Sequence, residues 1–169
     1  MDFEGILDDV NWKILGELQQ NGRLSYSELG RRVGLTSPAV AERIHRMEEA
    51  GIIEGYRAVL NLERVGLPLL ALIRIACDEH MCAQFGTVAK DIPEVLECCR
   101  VTGGDSYIAK VAVTSVRHLE ELLDRLMPYG QTVTSLVLSS PVTYRVIEPP
   151  APRQGIASIL EHMGSHAAS

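Results

Sequence analysis

Three sets of helix start and stop signals fall within about forty residues near the N-terminus, and this spacing constrains the fold more than any other feature. Asp8 is a suitable N-cap, and the apolar side chains after it recur at i, i+4 and i+8 as one stripe: Val10, Ile14 and Leu18. Residues 25–28 match the Ser-x-x-Glu capping box of a short second helix that Gly34 ends. Ser37, followed by a proline, is the expected N-cap of a third helix that runs to Gly51.

Residues 52–60 are expected to follow these helices as β-structure, because β-branched and aromatic side chains surround one glycine there. Three short helices followed by a strand pair are typical of a winged helix-turn-helix, which the pattern predicts over residues 8–57. We therefore expect a first domain over residues 1–60 and a linker over residues 61–68.

The remainder of the chain predicts a second domain of a different kind, over residues 69–145. Apolar runs predict four strands, at residues 69–77, 95–101, 107–113 and 133–138. Helical spacing after the first and third runs predicts two helices, which Pro93 and Pro128 close. This βαββαβ order is typical of the ferredoxin-like fold, so the chain as a whole is predicted to be α+β. Residues 146–169 are the expected tail.

Two helices cover only one face of a four-stranded sheet, so the opposite face would display apolar side chains from the first and last strands. An uncovered apolar sheet face is typical of an interface. We therefore expect the second domain to form a homodimer.

The formal net charge of −6 argues against a generally basic surface, yet residues 23–46 hold five arginines and only two glutamates. On the third helix one face carries apolar side chains, and a neighbouring face carries Ala39, Arg43 and Arg46. We expect the second face to enter the major groove of double-stranded DNA, although pairing with Glu42 and Glu49 on a solvated helix is the alternative. The predicted DNA-binding residues are Arg31, Arg32, Ser37, Ala39, Arg43, Arg46 and Arg57.

The sequence gives little support for a metal site, a cofactor or a membrane-spanning segment. Four cysteines lack metal-ligand spacing and are expected to be reduced packing thiols: Cys77, Cys82, Cys98 and Cys99. No stretch approaches the ~20 apolar residues of a membrane span, and the acidic N-terminus differs from a signal peptide, so we expect a cytoplasmic protein without membrane contact. No metal and no cofactor is expected.

Several stretches resemble the leucine-responsive and asparagine-operon regulators, the Lrp/AsnC family of transcription factors. The similarity is carried by residues 7–15, 21–23, 27–29, 33–53, 55–56 and 101–107, and in outline it extends to Tyr144. The resemblance implies a winged helix-turn-helix joined to an effector-binding ferredoxin-like domain. It also implies dimers, often assembled as a ring of four dimers, and an amino acid as the effector.

The same resemblance implies an effector site at the interface between ferredoxin-like domains. One subunit would supply the loop of residues 102–107, and a neighbour would supply polar groups near residues 134–140. Asp105 would receive an α-ammonium and nearby serines a carboxylate, although Gly-Gly-Asp is also an ordinary hairpin turn. The implied effector-binding residues are Thr102, Gly103, Gly104, Asp105, Ser106, Tyr107, Thr134, Ser135, Ser139 and Ser140.

Two other functions are compatible with this plan. Sirohaem decarboxylases share the two domains, but His80 and His118 both fall on predicted helices, so no enzyme activity is predicted. A stand-alone amino-acid sensor that does not bind DNA is the second alternative, because the chain is acidic. The sequence favours a sequence-specific DNA-binding transcription regulator whose assembly or DNA binding responds to a small molecule.

Overall fold

A computed structural model describes residues 5–150 of the chain. The chain divides into two compact units, with the second formed by Val59–Thr143. The first unit contains the residues up to Ala58 and, after the chain returns, the described residues from Tyr144 onward. Residues 151–169 of the expected tail lie outside the described residues. Among residues 5–150, the structure contains no helix that combines the length and the apolar character needed to span a membrane.

The first unit contains the three predicted helices, with bounds close to those expected. They are α1 (Asp9–Gln20), α2 (Tyr26–Val33) and α3 (Ser37–Glu49). Asp8 and Ser25 cap the first two helices through their side chains, as predicted. The N-cap of α3 is Thr36 rather than Ser37, because residue 36 already has extended backbone angles and Pro38 is tolerated within the first turn.

The core of this unit joins all three helices through side chains that are at most 1% exposed. These are Ile14, Leu29, Val40, Ile44 and Met47. The turn between α2 and α3 is tight at two glycines. Gly34 has a φ of +75°, which favours glycine, and a Cβ atom on Gly30 would overlap the carbonyl oxygen of Leu35. These glycines therefore set the approach of α3 to α2.

The predicted β-wing is not formed within this chain. The structure assigns no strand to residues 50–68, and the residues of the expected wing instead run as irregular and extended backbone. Val59 is 97% exposed and Leu60 is 62% exposed. A strand requires a partner for its backbone N–H and C=O groups, and the described chain supplies none at this position.

The returning segment is hydrogen-bonded to the side chain of Gln19 on α1. Oε1 of Gln19 accepts hydrogen bonds from the Tyr144 hydroxyl at 3.1 Å and from the Ile147 backbone N–H at 2.9 Å. Nε2 of Gln19 donates to the Ile147 carbonyl at 3.0 Å. The Gln19 amide therefore pairs with the backbone of residue 147 as a neighbouring strand would.

The second unit has the predicted βαββαβ order. Its elements are β1 (Leu69–Ala76), α4 (Glu79–Val88), β2 (Val95–Arg100), β3 (Tyr107–Val113), α5 (Val116–Leu126) and β4 (Gln131–Leu136). The four strands form one antiparallel sheet in the order β2-β3-β1-β4. The strand β4 begins and ends two residues before the predicted range. The ferredoxin-like arrangement is confirmed.

The two faces of the sheet differ in their surroundings. Alternate residues of β1, namely Ala71, Ile73 and Ile75, are fully buried and belong to one core with Phe85 and Leu122 of the helices. The opposite face lacks a covering layer within residues 5–150 and leaves Leu72 40% exposed and Val133 48% exposed. This uncovered face also carries Arg74 and Lys110, so it is apolar with interspersed charges.

The prediction of four reduced thiols is wrong for one pair. Cys77 and Cys82 form a disulfide across the turn from β1 to α4, with their Cα atoms 5.4 Å apart. Helical geometry explains the difference, because the first turn of α4 folds residue 82 back over the end of β1. Cys98 and Cys99 are free thiols.

Candidate DNA-binding face and effector-binding site

The third helix presents the predicted face away from its core. Val40, Ile44 and Met47 are buried, whereas Arg46 is exposed and Ser37, Ala39 and Arg43 are partly exposed. The salt bridges among residues 5–150 do not involve Arg46. Its guanidinium is therefore available to an external acceptor such as a base edge or a phosphate.

Arg43 is held by the start of α1. Its Nη1 atom donates to Oδ2 of Asp8 at 2.7 Å and to Oδ1 of Asn11 at 2.9 Å. Asn11 is only 5% exposed, and its Nδ2 donates to the Ile6 carbonyl at 2.6 Å. The hydrogen bond from Arg43 is the main reason that the pKa of Asp8 is lowered. In this conformation Arg43 joins α3 to α1.

The buried hydrogen bonds of Asn11 were not predicted from the sequence, although its position along α1 indicated burial. Residue 11 precedes Ile14 by three positions and Leu18 by seven, which is the spacing of the buried helix face. A polar residue on that face requires hydrogen-bond partners, and Ile6 and Arg43 supply them.

The arginines of α2 have acidic partners. Arg31 and Arg32 both donate to the carboxylate of Glu28, and Nη1 of Arg32 donates to Glu17 at 2.6 Å. Hydrogen bonds from Arg31 and then Arg32 lower the pKa of Glu28. All of these side chains are near solvent, so phosphate oxygens would compete with the carboxylates for the same guanidinium groups.

Residues after α3 turn back along it. The Tyr56 hydroxyl donates to Oε1 of Glu48 at 3.1 Å. Burial, with the nearby Glu48 carboxylate as the second cause, raises the pKa of Tyr56 to about 12. This contact places Tyr56 beside α3, and the next residue, Arg57, is exposed.

The predicted effector loop has an exposed tip and an anchored end. Thr102, Gly103 and Gly104 are exposed, and Gly103 has a φ of +116°. The end is anchored because Oδ2 of Asp105 lies 3.5 Å from Nη1 of Arg74, and Tyr107 is only 8% exposed.

The anchored end also contacts the disulfide. Oγ of Ser106 donates to the Cys77 carbonyl at 3.1 Å and accepts from the Cys77 N–H at 3.2 Å. The Tyr107 hydroxyl donates to the Cys82 carbonyl at 3.1 Å. Both cysteines of the pair are therefore hydrogen-bonded to this loop.

The polar residues of the last strand are dispersed. Thr134 pairs with Ile73 on the helix-covered face, and Ser135 pairs with Leu72 on the uncovered face. Ser139 and Ser140 are exposed beyond the end of β4. Thr134 and Ser135 therefore lie on opposite faces of the sheet, and Ser139 and Ser140 lie in the loop after β4.

The loop and the last two serines lie at opposite ends of β1. The N–H of Ser106 donates to the Ile75 carbonyl, whereas the N–H of Val137 donates to the Leu70 carbonyl. Leu70 and Ile75 are five positions apart along the strand, which corresponds to roughly 17 Å. One copy of the chain therefore does not bring residues 102–107 and residues 139–140 onto the same small ligand.

The two histidines considered for catalysis have local partners. Nε2 of His118 lies 3.0 Å from Oε1 of Glu94, and the same carboxylate accepts from Nη1 of Arg125 at 2.7 Å. Nε2 of His80 lies 3.1 Å from Nε2 of Gln84 on the same helix. The His118 contact joins α5 to the residue before β2, and the His80 contact lies within α4.

Both units match models of a known family. Residues 7–48 match the AsnC-type helix-turn-helix domain, and residues 70–147 match the Lrp/AsnC ligand binding domain. The chain belongs to the Lrp/AsnC family of DNA-binding transcription regulators. The resemblance inferred from the sequence is confirmed over most of the chain.

Similar proteins share this architecture. The chain is 40% identical over 134 residues to YezC, an uncharacterised HTH-type transcriptional regulator of Bacillus subtilis, covering 79% of this chain and 95% of that one. It is 35% identical over 139 residues to the leucine-responsive regulatory protein of Escherichia coli K12, covering 78% and 85%. Among solved structures, the Neisseria meningitidis regulator NMB0573 in complex with L-Met has a TM-score of 0.79 and 33% identity, covering 83% of this chain and 96% of that one.

Proposed function

We propose that this Lrp/AsnC regulator binds a specific operator through α3 and that an amino acid modulates its DNA binding or assembly. The observation that carries the proposal is the exposed Arg46 on the outward face of the third helix of a matched helix-turn-helix. We propose this role in place of an enzyme activity, because the imidazoles considered for catalysis are engaged in local contacts. As a regulator that binds DNA, it would act in the cytoplasm.

In the proposed complex, residues at the start of α3 approach base edges and arginines neutralise phosphates. Ser37 and Ala39 are small, so the backbone of α3 can approach the major groove closely. Arg46 reads a base or contacts a phosphate, while Arg31, Arg32 and Arg57 hold the flanking backbone. Arg43 pairs with Asp8 and Asn11 through Nη1, so any contact that it makes with DNA uses its other guanidinium N–H groups.

The proposed effector is an amino acid bound between copies of the chain. A solved neighbour contains L-Met, and this chain carries the family's ligand binding domain. The separation of residues 102–107 from Ser139 and Ser140 within one copy supports a site that draws on two copies. Backbone groups at Gly103 and Gly104 would bind the ligand's polar groups, and Asp105 would exchange Arg74 for an α-ammonium.

We propose a homodimer built on the uncovered sheet face, with assembly to an octamer as a further step. Leu72 and Val133 would be removed from water at this interface. Each chain has a net charge of −6, so its contacts with DNA depend on a few local arginines. A dimer presents two copies of α3 and therefore makes these contacts twice.

A DNA-binding and thermal-shift experiment tests this function. Fluorescence anisotropy would be measured on a duplex that the protein selects from a random-sequence pool and on random duplex, at two salt concentrations, with each of the twenty amino acids. We expect tighter binding to one duplex and a rise in Tm with at least one amino acid, since a ligand specific to the native state stabilises it. Equal binding to both duplexes, or no response to any amino acid, would contradict the proposal.

Substitutions in the loop of residues 102–107 test whether the effector binds there. Gly104→Val and Asp105→Ala should abolish the response to the amino acid and leave the dimer intact. Lys90→Ala is a surface control, because Lys90 is exposed in the turn that follows α4. A full response in both loop variants would place the effector elsewhere.

A further inference from the structure

Cys77 and Cys82 lie where β1 passes into α4. Cys77 directly follows the last residue of β1, and Cys82 lies in the first turn of α4. Their Cα atoms are 5.4 Å apart, which is within the usual range for a disulfide. Cys82 is 6% exposed, whereas Cys77 is partly exposed. Cys77 is therefore the more accessible cysteine of the pair.

The pair is hydrogen-bonded to the loop of residues 102–107. Ser106 bonds to both backbone groups of Cys77, and the Tyr107 hydroxyl bonds to the carbonyl of Cys82. The space around Tyr107 is tight, because a Cβ atom on Gly86 would lie 2.7 Å from its hydroxyl oxygen. A shift of either cysteine is therefore transmitted to the anchored end of the loop.

We propose that Cys77 and Cys82 are a redox-active pair whose thiol or disulfide state sets the order of residues 102–107. An effect of the redox state on effector binding rests on the proposed function. An effect of the redox state on the order of residues 102–107 does not.

The oxidant we propose is a low-molecular-weight disulfide, RS–SR. The Cys77 thiolate attacks one sulfur of RS–SR, which forms a mixed disulfide and releases RS⁻. The Cys82 thiolate then attacks the Cys77 sulfur, which forms the protein disulfide and releases the second RS⁻. The two protein thiols lose two electrons and two protons, and RS–SR becomes two RSH. A thiol in excess reverses both steps.

The reduced and oxidised states differ in the hydrogen-bond donors that lie near the Cys77 carbonyl oxygen. Sγ of Cys82 lies 3.4 Å from that oxygen, so a reduced Cys82 thiol is placed to donate to the acceptor that Ser106 uses. Oxidation removes the thiol hydrogen and joins the end of β1 covalently to α4. We therefore expect residues 102–107 to be more ordered in the disulfide state.

Thiol counting and amide hydrogen exchange test the proposal on the full chain. A Cys98→Ala/Cys99→Ser background leaves only the pair, and oxidised glutathione and dithiothreitol set its state. We expect oxidation to remove both alkylatable thiols, and reduction to speed exchange of residues 102–107 by roughly threefold or more. Adding Cys82→Ser should give the faster exchange under both conditions. Two alkylatable thiols after oxidation, or equal exchange in both states, would overturn the proposal.

L-methionine separates this proposal from the function on which its consequence rests. A larger rise in Tm with L-methionine in the disulfide state supports a redox-controlled effector site. An equal rise in both states, together with altered exchange, would overturn the link to effector binding. If none of the twenty amino acids raises Tm in either state while exchange still depends on oxidation, the amino-acid function fails and the redox pair stands.

Discussion

Nη1 of Arg43 donates to Oδ2 of Asp8 at 2.7 Å, and these residues come from two different helical segments, 35 positions apart. The same nitrogen satisfies the buried amide oxygen of Asn11. One arginine on the outward side of the third helix thus stabilises the fold, while Arg46, one turn later, is free of ion pairs among residues 5–150. The two arginines of the predicted DNA face therefore have separable roles.

Replacing these two arginines should separate DNA binding from stability. Arg46→Ala should weaken specific DNA binding by ~1–3 kcal/mol if it reads a base, with no loss of Tm. Arg43→Ala should lower the free energy of unfolding by ~1–3 kcal/mol, because the Asn11 oxygen loses its donor. Anisotropy on operator and random duplex, together with urea melts, measures both effects. An unchanged unfolding free energy in Arg43→Ala would show that the network is not stabilising.

The helix-turn-helix turn should not tolerate a methyl group at Gly30. A Cβ atom there overlaps the Leu35 carbonyl, so Gly30→Ala should reduce stability by ~1–3 kcal/mol. Gly16→Ala is the matched control, since nothing lies within 4 Å of a Cβ atom at that helical position and alanine should stabilise it by ~0.5–1 kcal/mol. Urea denaturation of both variants gives the comparison. Equal changes in the two would mean that the turn adjusts to accommodate the added group.

The lowered pKa of Glu94 predicts that the protein loses stability in acid. The Arg125 hydrogen bond, assisted by His118 and opposed by burial, lowers the pKa of Glu94 to about 2 from its ordinary 4.5. A depressed carboxyl pKa stabilises the fold fully above pH 4.5, and this contribution is lost as the pH falls from 4.5 towards 2.

The loss should be on the order of 1–2 kcal/mol, after allowance for solvent near the Arg125 side chain. Urea melts at several pH values, on the wild type and on Glu94→Gln, measure it. The variant should show a smaller dependence over this pH window. If the two proteins lose stability equally, other carboxyl groups are responsible.

The uncovered sheet face should be sensitive to charge. Leu72→Lys or Val133→Lys should shift the protein from dimer to monomer, because each places an ammonium group in the proposed interface. Val116→Lys is the control, since that side chain is 57% exposed at the start of α5, away from the sheet face. Analytical ultracentrifugation gives the masses. A dimer that persists in both sheet variants would place the interface elsewhere.

The helices and the four strands of the sheet were predictable from the sequence, because their signals are local. Helix caps at Asp8 and Ser25, and the stop at Gly34, act on backbone groups within four residues. Apolar periodicity, equally local, was sufficient to predict the βαββαβ order and the buried face of α3. The family followed from the same stretches of sequence.

The contacts between polar groups were not predictable from the sequence, because they depend on how the chain packs. The pairing of Arg43 with Asp8, of Asp105 with Arg74 and of Gln19 with Ile147 joins residues far apart in sequence. The disulfide is closer in sequence, but it depends on how the turn after β1 is placed. The prediction of a wing was wrong for the same reason. A strand needs a neighbouring strand to pair with, and apolar periodicity does not show whether one is present. Long-range hydrogen bonds and ion pairs depend on chain packing, whereas caps and apolar stripes depend on the neighbouring residues alone.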